Sequence, residues 1–239
     1  MSPFLAKARE IALDILFPPL CISCRLPLTP SQKELAFCEL CFSKIPVNTA
    51  LTCPVCKARL ALNIKICHKN SSYRLAAAVS YDNEIIKNLI WQLKYEKHTA
   101  AAKILAEVLK RHLNEIGLNL ADYALMPMPL HKNRERERGF NQAQVIAEIL
   151  SEKMQIPANT KALRRIKDTL PQAEVRDFDA REKNLEHGFA VPNKEMVAGR
   201  NIILIDDVFT SGATMNAAVS ALKDAGAKHV IGLVVAKAG

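Results

Sequence analysis

Residues 202–214 read IILIDDVFTSGAT, a run of four apolar residues followed by two acids and a short, hydroxyl-rich turn broken by glycine. Ile202, Ile203, Leu204 and Ile205 show no polar alternation, the pattern of a strand covered on both faces as in a parallel sheet. Asp206 and Asp207 are expected to mark where that strand leaves the core. Adjacent carboxylates at the C-terminal end of a strand accept hydrogen bonds from hydroxyls such as the 2'-OH and 3'-OH of a ribose. They repel phosphate, so an anionic group belongs further along. There Thr210, Ser211 and Thr214 offer hydroxyls, and Gly212 lets backbone N–H groups come close ahead of a helix N-terminus. Val208, Phe209 and Ala213 complete the stretch. Residues 213–225 carry apolar positions at Met215, Val219 and Leu222, stop at Gly226 and lead into a second apolar run at 230–236. Together these predict one βαβ unit with the turn at its switch.

The chain has 239 residues, 49% of them apolar, enough for one full core and a small appendage or for two modest domains. Its 33 basic against 24 acidic residues give a net charge of +9, which favours polyanionic partners: nucleic acid, anionic lipid or a pyrophosphate. No apolar segment reaches the roughly 18 residues that span a bilayer, and Lys7, Arg9, Glu10 and Asp14 break any signal-peptide core, so a cytoplasmic location is expected. Within 4–17 the apolar residues Phe4, Leu5, Ala8, Ile11, Ala12, Ile15 and Leu16 recur at helical spacing up to Pro18. Such a face packs on the protein's own body or attaches peripherally to a membrane surface.

All seven cysteines precede residue 70 and set off an N-terminal module at 1–72 from a second domain at 73–239. Cys21-x2-Cys24 and Cys38-x2-Cys41 form two knuckles, and four thiolates so spaced close a tetrahedral structural zinc site. Cys53-x2-Cys56 and Cys67 supply three further thiolates, with Asn70 where a fourth would match. His68 could add a nitrogen, but its adjacency to Cys67 makes convergence on one metal awkward, so a second zinc stays open.

From Tyr73 onward strands alternate with helices, an α/β arrangement. Residues 75–81 and 123–128 read as strands. Ile85, Ile86, Leu89, Ile90 and Leu93 mark one helix face and Ile104, Leu105, Val108 and Leu109 another, with a further helix from about 141 to 154. The stretch 131–142, HKNRERERGFNQ, is expected to be a basic loop opening on the same sheet edge as the Asp206 turn. Its alternating charges suit a solvated face. Its position between strand and helix suits the arginines Arg134, Arg136 and Arg138, ahead of Gly139, holding pyrophosphate or single-stranded nucleic acid through bidentate contacts. The polar segment 163–189, with Arg164, Arg165 and Lys167, is expected to form a flap or a surface connection.

The apolar tetrad, acidic pair and TxGxT-like turn resemble the phosphoribosyl pyrophosphate (PRPP) signature of type I phosphoribosyltransferases. With the paired CxxC knuckles, the LKY at 93–95 and PMPLHKNRERERGFNQA, the chain resembles over nearly its whole length the ComF family of competence-associated proteins. The resemblance implies an α/β, parallel-sheet phosphoribosyltransferase-like domain joined to a small zinc-bearing module. It also implies a role in natural transformation, handling incoming single-stranded DNA on the cytoplasmic side of the inner membrane. A further reading is a zinc-organised scaffold for a helicase-like competence partner, with the pocket vestigial. By the same resemblance, Asp206 and Asp207 meet the ribose hydroxyls and the Mg²⁺ shell, residues 210–214 hold the 5'-phosphate, and Arg138 and Gly139 lie near pyrophosphate. Thr210 stands where purine-salvage relatives often carry an acidic base, which speaks against nucleobase chemistry by that route. The alternative is an active enzyme transferring ribose 5-phosphate from PRPP to a small acceptor, by Mg²⁺-assisted displacement of pyrophosphate.

Overall fold

The computed structural model describes residues 14, 16–62, 67–68, 71–96, 99–167 and 188–238. Most of the amphipathic stretch 4–17 and of the polar segment 163–189 therefore lies outside the described residues. The chain forms two compact units, Met1–Pro46 and Val47–Gly239. In the first, a 3₁₀ turn at Pro30–Gln32 precedes a short helix α1, Glu39–Ser43, whose N-cap is Cys38.

The second unit is built on a six-stranded sheet. Its strands are β1 (Leu51–Thr52), β2 (Arg59–Leu60), β3 (Arg74–Ser80), β4 (Tyr123–Pro127), β7 (Asn201–Phe209) and β8 (His229–Lys237), in the order β2-β1-β3-β8-β7-β4. β3, β8, β7 and β4 are mutually parallel, and β1 runs antiparallel to both β2 and β3. The connection from β1 to β2 carries the Cys53–Cys56 knuckle, so the second cysteine set belongs to the sheet unit. A separate ribbon pairs β5 (Arg164–Arg165) with β6 (Phe189–Ala190).

Helices α2 (Glu84–Trp91), α3 (Thr99–Ile116), α4 (Lys132–Arg138), α5 (Gln142–Met154) and α6 (Ala213–Asp224) connect these strands. Asn83 caps α2 by accepting from the Ile86 N–H at 3.1 Å, which fixes the rotation that buries Ile86, Leu89 and Ile90. On one face of the sheet, Met215, Ala218, Val219 and Leu222 of α6 pack with Ile202 and Leu204 of β7, Val230 and Val234 of β8, and Phe189. Apart from Ala218, each such side chain contributes about 1.5–3 kcal/mol by leaving water.

Two expectations change. The apolar run does not end at the acids: β7 continues through Asp206 and Asp207 to Phe209, because Asp206 pairs with Val234, Val208 with Ala236 and Phe209 with Lys237 on β8. The basic stretch after β4 is not a loop over most of its length. Residues 132–138 form α4, started by His131 and closed by Gly139 in the left-handed region at φ 82, its N–H on the Glu135 carbonyl at 2.7 Å. Glycine at that position removes the Cβ penalty of the turn.

Candidate functional site

Because side chains alternate along a strand, continuing β7 through the acidic pair sends Asp206 and Asp207 to opposite faces of the sheet. Asp206 turns toward the α6 side, where it lines a small hollow with Val208, Thr210, Gly212, Thr214 and Met215. Asp207, 5% exposed, turns the other way.

Asp207 is held by two side chains, one of which is held in turn by a third. Lys94 Nζ lies 2.7 Å from its Oδ2, and Gln142 Nε2 donates to the same oxygen at 3.1 Å. Arg138 Nη1 in turn donates to Gln142 Oε1 at 3.0 Å. Local sequence places each part. Asn141 accepts from the Ala143 and Gln144 N–H groups and donates its own amide to the Met128 carbonyl at 3.0 Å, tying the start of α5 to the end of β4. Gln142, the first helical residue, is thereby aimed at β7. The glycine stop at Gly139 turns the chain between α4 and α5. Arg134, one helical turn before Arg138, sits on the same face of α4. Burial alone would favour a neutral Lys94 amine, but Asp207 and then Asp206 outweigh it and hold its pKa above the usual lysine value.

Asp206 is in the opposite situation. Part of the residue reaches the surface, yet protein crowds its carboxyl. Burial, then the charge of Asp207, push it up from 3.8 to about 7, against a downward pull from the Asp207 N–H, Lys94 and Arg165. The Asp207 N–H donates to Asp206 Oδ1 at 2.8 Å. Arg165 on β5 lies over the Phe189 ring, 5.6 Å from its centre, and is one of the cations whose charge favours the ionised Asp206; residues 168–187 lie outside the described set.

The turn 210–214 closes on Gly212, whose φ of 83 is left-handed and which serves as N-cap of α6. A Cβ there would stand 2.7 Å from Phe209 Cζ, so the ring of Phe209, itself buried, fixes the turn by packing on the bare glycine. Ser211 Oγ accepts from the Ala213 N–H at 3.4 Å. The hollow they enclose is about 20 Å³, near the size of one water. Larger hollows of about 550 and 420 Å³ lie elsewhere, the second beside the starts of β4 and β7 at Ala124, Arg200 and Ile202.

The cysteines gather into two tetrads that could hold metal ions: Cys21, Cys24, Cys38 and Cys41, and Cys53, Cys56, Cys67 and His68, with ligand atoms within 4.8 Å of one another in each. Cys24 and Cys38 sulfurs stand 3.7 Å apart, and those of Cys56 and Cys67 3.8 Å. Zn–S bonds of about 2.3 Å in a tetrahedron put sulfurs about 3.8 Å apart. Cys53 Sγ to His68 Nδ1 is 3.5 Å, the matching edge for one sulfur and one nitrogen. The Cys21–Cys24 and Cys53–Cys56 knuckles have the same backbone. The Arg25 N–H meets the Cys21 carbonyl at 2.9 Å and the Cys21 N–H the Leu26 carbonyl at 2.9 Å. Likewise the Lys57 N–H meets the Cys53 carbonyl at 3.0 Å and the Cys53 N–H the Ala58 carbonyl at 2.9 Å. Arg25 and Lys57 both adopt φ 61. His68 thus completes a set that sequence adjacency made awkward. Burial works against a thiolate at Cys21, but the Cys24, Cys38 and Ser23 amides outweigh it and bring the thiol down to about 7.

Lys94 and Gln142 are the members of the site to which sequence reasoning gave no role. Both lay in quoted stretches, Lys94 in LKY and Gln142 directly after the Asn141 cap, but nothing in a linear pattern says which strand residue a lysine will meet.

The phosphoribosyl transferase domain family matches residues 138–239, from Arg138 through β7 and its turn to the last residue. Competence protein F of Haemophilus influenzae is 26% identical over 88% of this chain and 93% of its own length. Over most of its length this chain is similar to proteins named for competence. Competence protein ComFC of Bacillus subtilis is 27% identical over 90% of this chain and 83% of its own. The DNA utilization protein YhgH of Salmonella typhimurium is 27% identical over 83% and 88%. The expected α/β class with a largely parallel sheet, and a cysteine cluster able to bind metal, holds for this chain. Among the described residues no helix is long and apolar enough to cross a membrane.

Proposed function

We propose that this protein acts in natural transformation, handling incoming single-stranded DNA, and that the β7–α6 rim holds PRPP with Mg²⁺. The observation that carries this reading is the convergence at one strand end of Asp206, the hydroxyl turn 210–214 at the start of α6, and the Lys94–Asp207–Gln142–Arg138 chain. Its relatives are named for competence and DNA utilization, and a net charge of +9 suits a polyanionic partner.

In this reading Asp206 accepts from the ribose hydroxyls, while Thr210, Ser211 and Thr214 and the α6 N-terminus receive the 5'-phosphate. Arg134, Arg138 and the Gly139 amide lie toward pyrophosphate. Lys94 neutralises Asp207, so the acid pair does not present two negative charges to a diphosphate. Asp206 supplies an oxygen ligand of the kind Mg²⁺ takes alongside substrate phosphates, and the ion would offset charge on the pyrophosphate. The two cysteine tetrads hold structural zinc, since each donor set is complete at four and leaves no position for substrate. The zinc organises short segments with little core of their own.

Calorimetric titration of PRPP with and without Mg²⁺ tests the rim, with binding expected only where Asp206 and the turn are intact. Filter binding of single-stranded DNA against salt tests the second partner: a steep loss of affinity with rising salt is expected, and an affinity indifferent to salt contradicts it. A second reading, transfer of ribose 5-phosphate to a small acceptor, draws support from Asp206, whose carboxyl near 7 suits general acid–base work. Pyrophosphate release from PRPP across a panel of bases and amines separates the two.

A further inference from the structure

The chain contains a single tryptophan, and Trp91 stands 50% exposed with Tyr95 beside it 63% exposed. Their ring centroids are 5.9 Å apart at an interplanar angle of 43°. Large aromatic rings gain most by burial, so two of them left at the surface side by side are a feature to account for. The segment beneath them is firmly anchored. Trp91 ends α2, and residues Gln92–Glu96 form a π-helical turn in which Gln92 and Leu93 are buried and Lys94 is tied to Asp207. Single π turns inside helices recur at functional sites, because the extra residue re-aims the side chains that follow.

A cation completes the arrangement. The Arg138 guanidinium lies 5.9 Å from the centre of the Tyr95 ring while its Nη1 is bound to Gln142. Lys132 and Arg136 on α4 are exposed. Aromatic faces next to cations form the surface that takes an unpaired base by stacking and the adjoining backbone phosphate by charge.

We infer that Trp91 and Tyr95 form a stacking step for one unpaired base of a single nucleic-acid strand, with the neighbouring phosphate on the Arg138 side. This rests on the single-strand reading above and adds a base contact to it. With aromatic residues at 5% of the chain, the remaining contacts run along the phosphates. The step lies next to the residues that hold Asp207, so the strand and the PRPP rim share Arg138 as a border.

Trp91, the sole tryptophan, is its own reporter. Its fluorescence is followed during titration of the full chain with short oligodeoxythymidine and with an abasic strand of equal phosphate number, at low salt. Quenching by oligodeoxythymidine but not by the abasic strand is expected. Measured by filter binding, which does not depend on the tryptophan, Trp91→Ala or Tyr95→Ala should weaken oligodeoxythymidine roughly ten- to a hundredfold, toward the abasic affinity, with Trp91→Phe retaining most of the binding. Both strands binding equally without quenching overturns the stacking step and leaves the single-strand reading intact. Neither strand binding overturns both. Quenching by free thymidine at the same molar concentration as the strand assigns the rings to a small-molecule base and overturns the strand.

Discussion

Lys94 Nζ and Asp207 Oδ2 are 2.7 Å apart, joining the turn after α2 to β7, one of the two inner strands of the parallel set, with only 19% and 7% of the two side chains exposed. Gln142 shares the same carboxylate oxygen. The link places one acid of the pair in a structural role and leaves the other, Asp206, at the rim.

Removing one partner of a buried pair strands the other charge. Lys94→Met is expected to lower stability by about 3–5 kcal/mol. Adding Asp207→Asn should recover part of that loss by removing the stranded charge. Urea unfolding of the two single variants and the double variant gives the coupling. Independent, additive losses would mean that the two groups do not interact.

Asp206 makes folding depend on pH in a fixed direction. Its carboxyl is raised from 3.8 to about 7 by burial and by Asp207. Below the ordinary value both states carry the proton. Between 3.8 and about 7 the folded chain keeps a proton that the unfolded chain has lost, so stability falls as pH rises, and above about 7 the penalty is constant. Asp206→Asn should flatten this slope, matching the parent near the acidic end of the window and exceeding it above neutrality. Unfolding curves across the window read the difference directly.

The cysteine tetrads predict two zinc ions per chain, one with four sulfurs and one with three sulfurs and a nitrogen. Cys38→Ser should lose the first ion and His68→Ala the second, with His68→Cys retaining both. Metal content and X-ray absorption at the zinc edge measure the count and the nitrogen share. An all-sulfur spectrum with two ions bound would exclude His68.

Gly212 fits its turn because it has no side chain. Gly212→Ala meets two penalties: the left-handed φ of 83 and a Cβ 2.7 Å from the Phe209 ring. A loss of at least about 1 kcal/mol is expected, with weaker PRPP binding as the turn is pushed open. Shortening the ring in Gly212→Ala/Phe209→Leu should relieve the contact but not the backbone strain. A double variant no better than Gly212→Ala alone would assign the whole cost to φ.

Much of this molecule follows from local pattern. The run Ile202–Ile203–Leu204–Ile205 can only be a strand covered on both faces, and Met215, Val219 and Leu222 set the helix after it, since burial of apolar surface acts on spacing that is visible in the chain. Cysteine knuckles are legible for the same reason, the geometry of a tetrahedral ion being written in short intervals. The 131–142 stretch was harder. Its charges alternate as well in an exposed helix as in a loop, so the pattern alone leaves the helix unseen, and Gly139 is the local residue that marks where it stops.

Sequence by itself determined the strand, the turn chemistry, the cysteine knuckles and the resemblance they carry, because each depends on neighbours a few residues apart. Only the tertiary structure decided that Asp206 and Asp207 part to opposite faces, that Lys94 and Gln142 meet Asp207, that His68 joins Cys53, Cys56 and Cys67, and that Trp91 stays outside. Those outcomes depend on strand register and helix placement, set by packing across the whole sheet, which distant residues fix together and no short interval records.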